Sequence, residues 1–148
     1  MDHICFSVVG EPKGKGRPRF SFRSHRAYTP NDTVAYENEV KRTAKKTVSE
    51  FNVQNNTAWN LAANYCVRIN AVFRVPMSWS KRKRAAAFRG EIRPSVKPDI
   101  DNISKAVLDG MNGVVYGDDS LVSEMSVRKA YQMTDEDEPR VEVEVICE

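Results

Sequence analysis

Pro98 is the residue that most restricts how this chain can fold. Proline is excluded from a helix interior and biases the residue before it toward extended backbone, so Lys97-Pro98 must precede a regular segment rather than interrupt one. From Asp101 to Asn112 the pattern predicts a helix. At about 100° per residue, Ile103, Ala106, Val107, Gly110 and Met111 share one face, and Asp101, Asn102, Lys105 and Asp109 share the other. Asn112-Gly113 ends it with a pair that tolerates left-handed backbone. Asp99 therefore falls just ahead of this helix and Asp101 at its start, where acids at i and i+2 can point the same way.

The rest of the chain alternates between two periods. Ile4 to Val9 is a short apolar run closed by Gly10, a strand. Three glycines and two prolines between Gly10 and Phe20 exclude a regular helix, and a short strand at Phe20 and Phe22 ends in a turn at Thr29-Pro30. Thr33 to Phe51 reads as a helix capped by Asn31 or Asp32, with Val34, Val40, Ala44 and Val48 as its apolar positions. Val53 to Trp59 reads as a polar loop. Tyr65 to Val75 alternates as a strand, and Ser78 or Ser80 can cap a basic helix from Lys81 to Phe88. After the helix at 101–112, Leu121 to Gln132 and Arg140 to Cys147 read as strands around an acidic turn. Strands and helices without a regular βαβ repeat predict an α+β fold, a single compact domain over 1–148 with a mixed sheet packed with helices.

No apolar run approaches the roughly 20 residues that span a bilayer, and the N-terminus lacks the basic and apolar regions of a signal peptide. A cytoplasmic location, away from membranes, is expected. Cys5, Cys66 and Cys147 are odd in number and far apart, without Cys-x-x-Cys spacing, and His3 and His25 are the two histidines, so a structural zinc site is not expected. All three thiols are expected to be buried.

Charge is unevenly distributed. Residues 1–97 carry 19 Lys and Arg against 7 Asp and Glu, a net of +12, whereas residues 98–148 carry 4 against 13, a net of −9. Such a split suits a basic surface for a polyanion beside an acidic site able to hold a cation. The acidic candidates are Asp99, Asp101, Asp118 and Asp119, the last two in Gly117-Asp118-Asp119-Ser120. Carboxylate oxygens suit Mg²⁺, with Mn²⁺ as a substitute. Lys105, one turn beyond Asp101, can meet a phosphate or a developing negative charge. Basic candidates for DNA contact are Lys13, Lys15, Arg17 and Arg19, where glycines let backbone N–H groups approach phosphates, and Lys81, Arg82, Lys83 and Arg84. Phe20, Phe22 and Tyr28 can stack or pack. Plain structural roles compete with each of these: an Asp before a helix is a common cap, Gly-Asp-Asp-Ser a good turn, Asp101 and Lys105 an ordinary i, i+4 pair, and a charge run a solvated face.

The segment from Lys97 to Ser120, Lys-Pro-Asp-Ile-Asp-Asn-Ile-Ser-Lys-Ala-Val-Leu-Asp-Gly-Met-Asn-Gly-Val-Val-Tyr-Gly-Asp-Asp-Ser, closely resembles the core motif of the RusA family of Holliday-junction resolvases. Gly-x-Pro-x-Gly-Lys-Gly-Arg-Pro-Arg, Gly10 to Arg19, resembles that family's opening basic loop. The resemblance implies a homodimeric endonuclease that cuts four-way DNA junctions symmetrically with Mg²⁺, leaving 5′-phosphate and 3′-hydroxyl ends. By motif, Asp99, Asp101 and Asp119 match the metal-binding catalytic acids and Lys105 the catalytic lysine. Asp109 matches a further acid, and Asp118 precedes the matching one. Two other readings compete: a metal-dependent nuclease on other branched or flap nucleic acids, and a junction-binding module without catalysis.

Overall fold

The computed structural model describes residues 1–16, 19–28 and 31–148, with Arg19 and Tyr28 described by their backbone alone. Six strands and three helices follow in the order β1 (His3–Val9), β2 (Arg19–Ser21), β3 (Arg26–Tyr28), α1 (Asn31–Asn55), β4 (Tyr65–Phe73), α2 (Lys81–Phe88), α3 (Ile100–Met111), β5 (Val122–Tyr131) and β6 (Arg140–Cys147). Four strands form one sheet in the order β1-β6-β4-β5, and β2 and β3 make a separate two-stranded hairpin. β6 runs antiparallel to both β1 and β4, whereas β4 and β5 are parallel. The sheet is therefore mixed, and the fold is α+β. A parallel pair needs a long crossover, and here α2 and α3 supply it.

Strict alternation fixes which face of the sheet is covered. Ile4, Phe6 and Val8 of β1 and Val141, Val143 and Val145 of β6 are buried and join one core with Tyr36, Val40 and Ala44 of α1 and Ile103, Ala106, Val107 and Met111 of α3. Cys5 and Ser7 take the opposite face and are exposed. The expectation of three buried thiols is thus wrong for Cys5, whose neighbours Ile4 and Phe6 claim the inward positions. Cys66 is buried, and Cys147 is half-buried.

α1 begins at Asn31 and runs to Asn55, so the first part of the segment expected to be a loop is helical. Neither Asn31 nor Asp32 stands outside the helix as a cap residue, although Asp32 Oδ1 accepts the Thr33 N–H at 3.0 Å. Its buried positions include Thr33, Tyr36, Val40 and Ala44. Val34, expected among the apolar positions, is exposed. Six residues before Val40 is about 240° around the helix, well off the buried stripe, and Tyr36 takes the place instead. The turn expected at Thr29-Pro30 lies outside the described residues. α1 and α3 cross closely because Gly110 carries no side chain: a Cβ there would lie 2.6 Å from Val40 Cβ and 3.0 Å from the Glu37 carbonyl oxygen. No described helix is long and apolar enough to cross a membrane.

Candidate active site

α3 begins where Pro98 requires. Asp99 occupies the N-cap position with extended backbone (φ −71°, ψ 159°), yet its carboxylate makes no capping hydrogen bond. Asp101 follows in the first turn, and Lys105 one turn later; all three side chains are exposed. Asp101 and Lys105 form no ion pair with each other, nor does either pair elsewhere among the described residues. The ordinary uses of these groups, cap and i, i+4 pair, are therefore not taken up. On the buried side, Ser104 accompanies the expected apolar residues, its hydroxyl donating to the Ile100 carbonyl at 2.7 Å.

The two acids of Gly117-Asp118-Asp119-Ser120 differ. Asp118 caps the 3-10 turn Asp119–Leu121, its Oδ2 accepting the Ser120 N–H at 3.0 Å. Hydrogen bonds from the Ser120 side chain and backbone hold its carboxyl below the usual range. Asp119 is half-buried and enters no ion pair or side-chain hydrogen bond among the described residues. Below them lies Tyr116, fully buried, its hydroxyl donating to the Leu108 carbonyl at 2.8 Å. Burial first, and then the charges of Asp119, Asp109 and Asp118, push this phenol far above its ordinary pKa. The end of α3 and the acidic turn thus converge on one buried hydroxyl.

Trp59, the end of the expected loop 53–59, and Leu61 just beyond it brace this turn. The Gly117 N–H donates to the Leu61 carbonyl at 3.0 Å, and Trp59 Nε1 donates to the Val115 carbonyl at 2.8 Å. Trp59 stacks on Tyr65, whose ring lies 5.7 Å from that of Tyr116. Trp59, Tyr116 and Glu37 are the residues that sequence reasoning missed. A buried Trp closing an Asn-rich stretch was the available signal for the first, but nothing local marks Glu37.

Lys15 Nζ lies 2.5 Å from Glu37 Oε1 and 3.0 Å from Asp109 Oδ2. Burial opposes the ammonium, but its hydrogen bonds to Glu37 and Asp109 prevail and raise its pKa. Lys15 thus ties the glycine loop to α1 and α3 rather than standing free for a phosphate. The loop's glycines also have another reason than the one expected. A Cβ on Gly14 would lie 2.7 Å from Pro98 Cβ and 2.9 Å from Asn102 Cβ. The Lys15 N–H donates to the Asn102 carbonyl at 2.8 Å, and the Gly16 N–H to Thr33 Oγ1 at 3.0 Å. These two N–H groups serve the protein itself, and the loop is seated on the first turn of α3. Lys13 is exposed beside it. Arg17 and the side chain of Arg19, both expected to contact DNA, lie outside the described residues, as does the side chain of Tyr28.

In α2, capped by Ser80, Lys81, Arg82 and Lys83 are exposed, with Lys83 Nζ 3.9 Å from the centre of the Trp79 ring. Arg84 is instead held in place. It donates to the Val75 and Pro76 carbonyls at 3.2 and 2.7 Å and pairs with Asp135.

The proposed acids do not all come within ligand distance of one another. Among the described residues, His3, Cys5 and Glu144 form one group whose ligand atoms lie within 4.8 Å, and Cys66, Glu124 and Glu148 form another. A concavity of about 480 Å³ is on the open face of the sheet, lined by Ser7, Arg68, Asn70 and Arg128 among others, and none of the acids of α3 lines it. We place the candidate site at α3 all the same: uncommitted carboxylates and a free lysine carry chemistry, whereas both glutamates that line the concavity are engaged, Glu144 by Arg68 at 3.1 Å and Glu142 by Asn70 at 2.7 Å. The donors at α3 are all oxygen, which fits a hard divalent cation.

Two comparisons with known proteins identify the family. Residues 9–146 match the family model described as Endodeoxyribonuclease RusA. The chain is also 34% identical over 145 residues, 97% of its own length and 95% of the relative's, to an uncharacterized protein, YqaN, of Bacillus subtilis (strain 168). With its acid-bearing helix, acidic turn and basic loop all inside the matched region, the chain belongs to the RusA family of endodeoxyribonucleases.

Proposed function

We propose that this protein resolves four-way DNA junctions, as a homodimer, by Mg²⁺-dependent paired hydrolysis of two symmetry-related strands. The observation that carries this reading is the contrast among the acids: Asp99, Asp101 and Asp119 keep their carboxylates uncommitted beside a free Lys105, while Asp118 is used to cap a turn. Asp99, Asp101 and Asp119 would hold the cation, which when bound supplies positive charge to the phosphate under attack. Asp99 and Asp101 would approach it from the start of α3, and Asp119 from the turn braced on Tyr116. Lys105 projects from the same helix and donates to a non-bridging or leaving oxygen of the scissile phosphate. Hydrolysis adds water oxygen to phosphorus and breaks the P–O3′ bond; one product takes the phosphate at its 5′ end, and the departing O3′ takes a proton. Lys13, Lys81, Arg82 and Lys83 neutralise neighbouring phosphates and orient the duplex arms without reading sequence. A two-fold dimer matches the two-fold arrangement of strands at a junction.

The test is cleavage of a labelled four-way junction with Mg²⁺ by the wild type and Asp101→Asn, with a linear duplex of matching sequence alongside. We expect paired symmetric nicks from the wild type, a spared duplex, and a variant that binds but does not cut. Binding without cutting by the wild type, in Mg²⁺ or Mn²⁺, would make the protein a junction-binding module. Equal cutting of a flap substrate would widen the substrate to branched DNA in general. Sedimentation of the protein alone, expected at twice the chain mass, tests the dimer.

A further inference from the structure

We propose that Phe20 and Phe22, on the β2–β3 hairpin, form an aromatic wedge that stacks on the nucleobases left exposed at a DNA branch; this rests on the reading of the protein as a junction endonuclease. Phe20 is 53% exposed and Phe22 86% exposed. Their rings meet edge to face with centroids 5.4 Å apart, and His25 lies 6.4 Å from Phe20. The two rings thus pack on each other and leave their outer surfaces open. Exposed aromatic surface in a folded chain marks a partner, and the setting identifies its chemistry. From Lys13 to Asn31 there are six Lys and Arg and no acid, and Arg23 and Arg26, on the same hairpin, are both exposed. An array of aromatic rings interleaved with arginines suits single-stranded or unstacked nucleic acid, where rings stack on bases and cations hold the backbone.

The position of the hairpin makes the partner more specific. The arm is closed at its base by the hydrogen bond from the Gly16 N–H to Thr33 Oγ1 at 3.0 Å. One residue earlier, the loop is fixed to Asn102, in the first turn of α3 between Asp101 and Ile103. Gly16 and Thr33, which flank the arm, are therefore joined one residue from the contact with the helix turn that carries Asp101. A linear duplex buries its base faces in a continuous stack and offers the rings nothing. At a four-way branch the stack is interrupted, and a ring can take the place of the missing neighbour. The wedge would thus let the protein tell a branch from a duplex while the basic residues bind both.

The experiment places 2-aminopurine beside the branch point of a four-way junction and follows its fluorescence on binding, with Ca²⁺ in place of Mg²⁺ to prevent cutting. Wild type, F20A/F22A and R23Q/R26Q are compared on this junction and on a linear duplex carrying the same base. We expect the wild type to change the fluorescence on the junction alone. F20A/F22A should lose that change and bind the junction about tenfold or more weakly, the range of one stacked base, with duplex affinity within about twofold. R23Q/R26Q should weaken both substrates together. A fluorescence change and junction affinity unaltered in F20A/F22A would overturn the wedge. Parallel assays with Mg²⁺ judge the nuclease reading separately: absence of cutting by the wild type would overturn that reading, and the branch-point signal would still decide the wedge. Both aromatic positions are solvent-facing, and unchanged circular dichroism of F20A/F22A will show that its fold is intact.

Discussion

Asp118 and Asp119 are adjacent, equally acidic and part of one turn, yet their surroundings assign them different work. Asp118 accepts from Ser120 and shapes the 3-10 turn; Asp119 is left with an unengaged carboxylate above Tyr116. Asp119→Asn should therefore lower junction cleavage by about a hundredfold or more, the scale on which loss of one preorganised electrostatic group is felt, and leave junction affinity nearly unchanged. Asp118→Asn should retain most of the cleavage and weaken the turn instead. Single-turnover cleavage at saturating enzyme separates the two, and the reverse ranking would move the metal-binding role to Asp118. The same contrast has a pH signature. A carboxyl held below its usual value in the folded state contributes stability that is present above the ordinary carboxylate range and is lost as pH falls through the folded-state value. Asp118 has such a depressed value. Carbon-detected NMR titration should find Asp118 titrating below pH 3.8, its ordinary value, and Ser120→Ala should move it upward.

Close approaches between elements, rather than individual side chains, bring this site together. Gly110 lets α3 approach Val40 of α1, and Gly14 lets the basic loop approach Pro98 and Asn102. Gly110→Ala drives a methyl group into Val40 and should destabilise the protein by about 1–3 kcal/mol, the usual cost of overpacking. Adding Val40→Ala should recover part of that loss in a double-mutant cycle read by urea unfolding; strict additivity would refute the close approach. Gly14→Ala meets Cβ atoms on a short loop instead of a helix interior, so its larger effect should fall on cleavage, through displacement of the first turn of α3. These approaches also mark the limit of what sequence shows. The amphipathic pattern of 101–112, the basic helix at 81–88 and the alternating strand at 140–147 are local signals, and each is legible to within a residue or two. The insertion of β6 between β1 and β4 is a long-range pairing with no local signature. Gly14 resembles a phosphate-binding glycine in the sequence because loop and helix are far apart there; only their packing reveals its use. Trp59 and Leu61 look like part of an indifferent loop for the same reason, since their partners, Val115 and Gly117, lie more than fifty residues on.

At the scale of the whole molecule, the division of charge into a basic first part and an acidic last part does not produce two lobes. β6 carries Glu142 and Glu144 into the middle of the sheet, where they face Asn70 and Arg68. Of the 13 acids after residue 97, Asp109, Asp135, Asp137, Glu142 and Glu144 are consumed in ion pairs. The four acids singled out at α3 and its neighbouring turn are not among them. Part of the acidic excess is thus neutralised by cations of the first part of the chain, and the acids left unpaired among the described residues include those at the candidate site. The basic side is sorted in the same way, because Lys15 and Arg84 are bound into the fold while Lys81, Arg82 and Lys83 stay exposed. That sorting predicts two distinct phenotypes along one four-residue charge run. Lys81→Gln with Arg82→Gln should leave unfolding unchanged and reduce the slope of log affinity against log salt by about two, roughly one for each phosphate no longer neutralised. Arg84→Ala removes the donor to the Val75 and Pro76 carbonyls and should cost about 1–3 kcal/mol of stability, with the salt slope unchanged. Duplex binding titrations at several salt concentrations, paired with urea unfolding of each variant, distinguish these outcomes. A salt slope that falls equally in both variants would mean that Arg84 reaches DNA despite its internal bonds, and that the whole run is one surface rather than a surface with an anchor.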